Sequence, residues 1–335
     1  MGVGVWTVEP EQIWKKPRRP GISGFMRLKN EAEFLDRAIA SHIDGLDELA
    51  IVYNDCTDET PEICARWAHG HPDKITVSEY EPKVVPAGTQ ESLAIDPRSP
   101  HCIANYYNFA LAQTNCRIVI KIDGDHLAIR RRFIKTCNRV RRNLPPEQRY
   151  PIYGLNITED QGEIVIYNYY DYAPQFTGSG GRSVRKGPPP FTGGDHAFYH
   201  VDRTSWHIVD PVEGWELMDL SGKPGFAAAS LTYCFFHLKG LKADHGTGNW
   251  GWTGGEQGHA WVGFITNLLE TNPANLATIE AMRRHNPFYF RGANVYKELR
   301  EAFPDLPVRM PRGEPMPALG LRERLADLWY RVAYP

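Results

Sequence analysis

The residues best equipped for chemistry lie in one stretch, Cys116-Arg-Ile-Val-Ile-Lys-Ile-Asp-Gly-Asp-His126. Arg117–Ile122 is β-branched and apolar with a single lysine, the composition of a buried strand. It runs directly into Asp123-Gly124-Asp125-His126. Two carboxylates one residue apart at the end of a central strand are too costly to bury unpaired. A divalent cation is their natural partner, because hard oxygen ligands suit Mg2+ and Mn2+. Gly124 carries no side chain to hold a bulky group off the backbone. In open α/β sheets ligands collect at the carboxyl ends of the strands. The stretch therefore points to a cation and an anionic ligand bound there, with an ordinary Asp-Gly turn as the alternative.

A second set of candidates lies further on. Glu213-Gly-Trp-Glu216-Leu-Met-Asp219-Leu220 is acidic, and on a helix residues 216 and 219 would share a face. His237 closes the apolar, aromatic run Leu231–Leu238 and suits a third cation ligand. Lys239 and Lys242 follow it, placed to neutralise phosphate charge. Thr192-Gly-Gly-Asp195-His196 allows close approach of backbone to a ligand. His196 and His200 read either as ligands or as half-buried imidazoles. Thr177–Pro190 is a Gly/Ser/Pro segment that suits a lid or a surface loop, and the glycine-rich His245–Glu256, with two tryptophans, suits a hinged cover.

The elements that must position these groups follow from periodicity. Strands are expected at Gly21–Arg27, Glu48–Tyr53, Lys74–Tyr80 and Cys116–Ile122, with helices between them from Lys29 to His42, from Pro61 to Ala68 and over Ala104–Thr114. This alternation predicts an α/β fold with a mostly parallel central sheet flanked by helices. Ile129–Asn143 reads as a helix with an apolar stripe and seven basic residues, either a solvated face or an attraction for anionic lipid or acceptor. Pro151–Asn156 and Glu163–Tyr169 read as a hairpin turning at Glu159–Gly162. Three further helices, His259–Leu269, Leu276–His285 and Ala293–Ala302, form a helical C-terminal extension. The terminal amphipathic stretch Leu319–Tyr334 suits docking on its own domain, with peripheral membrane contact or dimerisation as the alternative.

Composition narrows the function. A net charge of −2 offers no field for nucleic acid, and no apolar stretch is long enough to span a bilayer. Six scattered cysteines without a CxxC pair fit reduced thiols, and Met1–Pro20 carries no signal-peptide pattern, so a cytoplasmic protein is expected. The first strand leads into Met-Arg-Leu-Lys-Asn-Glu31, with no GxGxxG or P-loop device.

Three motifs taken together resemble a known family. Arg27-Leu-Lys-Asn30-Glu31 before a helix, the Asn54-Asp-Cys-Thr-Asp58-Glu-Thr60 turn, and strand-Asp123-Gly-Asp125 are similar to the nucleotide-sugar-binding half of GT-A glycosyltransferases, most like family 2. They come in the family's order over residues 21–126. The resemblance implies an inverting transfer from a nucleoside-diphosphate sugar to a glycan or lipid-linked acceptor, dependent on Mn2+ or Mg2+. It implies that Arg27, Glu31, Asn54 and Asp58 line the nucleotide pocket, although the family usually has Asp where this chain has Asn54. Helix capping is the competing role for Asp58, and a favourable place in the first helical turn for Glu31. It implies Asp123, Asp125 and His237 as cation ligands, Asp123 and Lys239 beside the diphosphate, and Asp219 as catalytic base with Glu216 second. The expected organisation is an N-terminal extension (1–20), a catalytic domain (21–255, divided into a donor half 21–126 and an acceptor half 127–255) and the helical region 256–335. The rival functions are an inactive sugar- or nucleotide-binding module of the same fold, a glycoside hydrolase and a nucleotidyltransferase.

Overall fold

The computed structural model describes residues 6–160, 163–168, 196–209, 216–219, 225–226, 233–242 and 295–306. The central sheet begins with β1 (Arg19–Leu28), β2 (Glu48–Tyr53), β3 (Ile75–Glu79) and β4 (Cys116–Lys121). These four are mutually parallel, with β1 between β4 and β2 and with β3 beyond β2. On the other side of β4 the antiparallel β9 (Ala197–His200) follows, then β6 (Gln148–Pro151) and the short β12 (Gly225–Phe226).

Alternation along each strand builds two cores. Ile22, Met26, Leu49, Ile51, Ile118 and Ile120 face one side, while Phe25, Ala50, Val52 and Val119 face the other, and all are buried. The first side is covered by α2 (Ala32–His42), α3 (Thr60–Gly70) and α6 (Arg130–Asn143), through Leu35, Ile39, Ile63, Phe133 and Val140. The second is covered by α5 (Ile103–Gln113) through Ile103, Tyr106, Ala110 and Leu111. It is also covered by the short helix Pro10–Trp14, whose Ile13 is fully buried. That helix was not anticipated. The segment before β1 packs on the sheet, and Val8 N–H donates to Asn105 Oδ1.

A second sheet stands at the carboxyl end of β4. Its strands are β5 (His126–Ala128), β13 (Tyr233–Gly240), β7 (Tyr153–Asp160) and β8 (Glu163–Asn168), in that order. The expected hairpin is present as β7–β8, with Asp160 opposite Glu163. Basic residues of helix α6 form ion pairs with neighbouring elements. Arg130 pairs with Asp44, Arg141 with Asp47 and Arg132 with Glu298. Glu298 belongs to the helix Val295–Ala302, which agrees with the expectation for Ala293–Ala302. None of the six cysteines forms a disulfide. Among the described residues no helix is long and apolar enough to cross a membrane.

One expectation is corrected. Glu216–Asp219 is a strand that pairs antiparallel with Trp206–Val209, not a helix. On a strand, positions three apart belong to opposite faces, so residues 216 and 219 do not share one. The acidic spacing suited a helix, but β-pairing with the apolar Trp206–Val209 segment outweighed it. The segments 177–190, 245–256, 259–269, 276–285 and 319–334, and Asp195, lie outside the described residues.

Candidate functional site

The site is built where β4 ends. Lys121, its last residue, lies over the Tyr107 ring of α5 and brings its Nζ within 3.4 Å of Asp123 Oδ2. Arg27, near the end of the adjacent β1, stacks its guanidinium over the same ring at 4.7 Å and over Tyr106 at 5.5 Å. Two neighbouring parallel strands thus deliver two cations to one aromatic shelf on α5, close to Asp123.

The Asp123–His126 turn then enters β5, where His126 lies opposite His237 of β13. Leu238 N–H donates to the Asp125 carbonyl at 2.9 Å, which continues the pairing. This register brings the imidazoles together. The His126 ring centroid lies 4.8 Å from that of His237, 4.5 Å from that of His196 and 4.4 Å from the Phe235 ring. Two groups of three potential ligand atoms result, Asp123–His126–His196 and Asp125–His126–His237, each within 4.8 Å of one another. His237 Nε2 lies 3.4 Å from Asp125 Oδ2, and His126 Nε2 lies 3.7 Å from Asp123 Oδ2.

Electrostatics matches this geometry. Burial works to raise the Asp123 carboxyl, but the neighbouring Lys121 ammonium foremost holds it well below the usual carboxylate range. Burial likewise opposes the Asp125 charge, and His237 and Lys242 override it. Burial, reinforced by the neighbouring His196, keeps His126 far below the usual imidazole range. Two ionised carboxylates beside a neutral imidazole are the protonation states a divalent cation requires. The buried His196 Nδ1 has no hydrogen-bond partner among the described residues, as expected of a side chain built for a ligand. The side chains present therefore fit a divalent cation.

Gly124 serves a neighbour inside the protein. A Cβ there would lie 2.8 Å from both Cβ and Cγ of Glu31, so the glycine admits Glu31 to the site. Glu31 ion-pairs with Lys242, whose Nζ also lies 2.8 Å from Asp125 Oδ2. Burial and the Asp125 charge push the Glu31 carboxyl up, against the pull of Lys242.

The other expected donor residues hold the frame. Both oxygens of Asp58 accept backbone N–H groups, Ala32 at the start of α2 and Thr60 at the start of α3. Asp58 thus serves the starts of both helices, although the residue directly before α3 is Glu59. Thr60 Oγ1 accepts from Glu31 N–H, and Asn30 Oδ1 accepts from Thr57 N–H. Asn30 and Asp55 occupy the left-handed region, at φ of 53° and 47°, which Asn and Asp tolerate best among residues with a side chain. The two motifs after β1 and β2 therefore lock each other. Asn54 is buried, and its amide donates to the carbonyls of Tyr80 and Pro82. Glu216 is also buried, and it hydrogen-bonds His207, which stacks on Tyr107 at 5.1 Å. Asp219 ends its strand and Lys239 lies within β13; their side chains lie outside what is described.

Sequence reasoning assigned no role to His126 and left His196 open. The one signal for His126 was its place directly after Asp125, and only the strand pairing opposite His237 gives that place meaning.

Residues 9–145 match a family described as beta-1,4-N-acetylgalactosaminyltransferase (CgtA). No curated protein matches the sequence. Among solved structures, S. aureus TarS 1-349 in complex with UDP-GlcNAc is 12% identical over 81% of this chain and 74% of that one, with a TM-score of 0.43. The mannosyltransferase PcManGT from Pyrobaculum calidifontis, in complex with GDP-Man and Mn2+, is 17% identical over 84% and 85%, with a TM-score of 0.39. Glucosyl-3-phosphoglycerate synthase from Mycobacterium tuberculosis, with Mn2+, UDP and phosphoglyceric acid, is 20% identical over 39% and 42%, so the likeness spans less than half of that chain; its TM-score is 0.28. The family match supports the enzyme class expected from the sequence, a glycosyltransferase, and the central sheet is the mostly parallel α/β sheet expected with it.

Proposed function

We propose that this glycosyltransferase of GT-A type moves a sugar from a nucleoside-diphosphate donor to a hydroxyl of a glycan or lipid-linked acceptor, with inversion and with a divalent cation. The observation that carries the reading is the convergence of Asp123, Asp125, His126, His196 and His237 at the end of β4. Asp125 and His237, with Asp123 and His126, would hold the cation. When bound, it supplies Lewis-acid stabilisation of the charge on the departing diphosphate.

The protein's own groups do the remaining work. Arg27, fixed over Tyr106 and Tyr107, offers a positioned cation to the same diphosphate, and Lys239 a second. In the transfer the bond from the anomeric carbon to the phosphate oxygen breaks, with its electron pair leaving on the diphosphate. A bond forms from the acceptor oxygen to the same carbon, and the acceptor's proton passes to a carboxylate. We assign that proton to Asp219. Glu216 is buried against His207 and is better suited to holding the paired strands Trp206–Val209 and Glu216–Asp219 together. On this reading residues 21–126 form the donor half and 127–255 the acceptor half of the catalytic domain.

The test is to incubate the protein with a panel of nucleotide sugars and either Mn2+ or Mg2+, and to follow nucleoside diphosphate release. Asp125→Ala is expected to abolish cation-dependent donor binding, and Asp219→Ala to leave binding intact while removing transfer. Unchanged nucleotide affinity in Asp125→Ala by titration calorimetry would sink the cation assignment. Binding without any turnover across the panel and a range of acceptors would make the chain a binding module instead.

A further inference from the structure

We propose that Lys242 is a built-in counter-cation that competes with the divalent cation for Asp125 and Glu31, and is freed toward the donor's diphosphate when the cation binds. The inference rests on the cation reading above and concerns how that site is held before loading. Lys242 follows β13 by two residues, after a turn in which Leu241 N–H donates to the Leu238 carbonyl. Its Nζ lies 2.8 Å from Asp125 Oδ2 and 2.8 and 2.7 Å from the two oxygens of Glu31. The same Asp125 Oδ2 faces His237 Nε2 at 3.4 Å. One oxygen therefore answers to both an imidazole set as a cation ligand and an ammonium.

Glu31 explains why a lysine is needed. Its carboxylate is brought beside Asp125 by the absence of a side chain at Gly124. Two half-buried or buried carboxylates so close repel, and a cation between them relieves the repulsion. In the conformation described, Lys242 provides it. A divalent cation seated on Asp125 would meet the same demand with twice the charge and would repel the ammonium from that oxygen. A lysine is suited to the exchange, because its charge is a point on a flexible four-carbon stem and not a planar fork fixed by two bonds. The site then never stands as a bare cluster of negative charge. The freed ammonium joins Arg27 in facing the anionic leaving group.

The experiment measures Mn2+ binding to the full chain by electron paramagnetic resonance of the free ion, with and without UDP or GDP. Wild type, Lys242→Met and Lys242→Gln are compared, with circular dichroism to establish folding; the glutamine variant serves if the methionine variant fails to fold. The expected result is that loss of the ammonium tightens Mn2+ binding at least tenfold in the absence of nucleotide. The nucleotide should improve Mn2+ affinity less in the variant than in wild type, because no lysine remains to be drawn away. Unchanged or weaker Mn2+ affinity in a folded variant, with wild type binding the ion, overturns the competition and leaves the cation reading standing. No Mn2+ binding by any protein, with or without nucleotide, overturns the cation reading and the competition with it.

Discussion

Asn54→Asp restores the residue that the resembled glycosyltransferases usually carry after the second strand, yet the packing here makes it destabilising. The two side chains have the same shape, so the change is purely one of donors and charge. The Asn54 amide donates to the Tyr80 and Pro82 carbonyls, and the residue is 1% exposed. A carboxylate cannot donate, so both carbonyls lose their partner and face a negative charge. Each unmet buried group costs about 1–3 kcal/mol, and the two together with the desolvated charge amount to about 3–5 kcal/mol. That is a large part of the ~5–15 kcal/mol available to a domain, but the protein should stay folded at 25 °C. The sign of the pH dependence follows. Burial beside two carbonyls raises the folded-state pKa of the new carboxyl, so the deficit is full above that pKa and shrinks as pH falls toward the unfolded value. Urea unfolding of both proteins at pH 8 and pH 5 checks this, with the larger deficit expected at pH 8. A loss below about 1 kcal/mol at pH 8, or a deficit independent of pH, would refute the reasoning.

Two further outcomes are expected. Burial holds His42 down to about 4, only partly offset by its hydrogen bond to the Ala38 carbonyl. Because that pKa is depressed, the unfolded chain takes up the proton first, and stability is lost as pH falls from about 6.5 toward 4. Between pH 7 and pH 5 wild type should lose about 2 kcal/mol that His42→Leu does not, read as the difference between their urea-unfolding curves. Gly124→Ala should force Glu31 out of its place, at a cost of about 1–3 kcal/mol from overpacking. Calorimetric Mn2+ titration should register altered affinity alongside that loss, and an unperturbed variant would show that the glycine is not needed for the approach of Glu31.

The sequence was most legible where local chemistry and fold agree. Near-continuous apolar runs in Glu48–Tyr53 and Cys116–Lys121, separated by amphipathic helices, determined a parallel sheet, because strands buried on both faces leave few other solutions. Asp123 and Asp125 stood out because ionised carboxylates at the end of a buried strand need partners. The Asn30–Glu31 and Asn54–Thr60 motifs were visible too, but their bonds to each other were not. Glu216 was read with a helical spacing and lies in a strand, since the pairing that holds it comes from residues 206–209 and not from its own neighbours.

The cation environment was decided by long-range register. His126 and His237 are more than a hundred positions apart, and nothing local to either says that they sit opposite each other in adjacent strands. Likewise nothing around Glu31 in the chain says that Lys242 will reach it, or that a glycine at 124 will leave the room. Residue types can announce that a charge must be balanced. Which group balances it depends on distances of a few ångströms, and those are set only when the whole chain has packed.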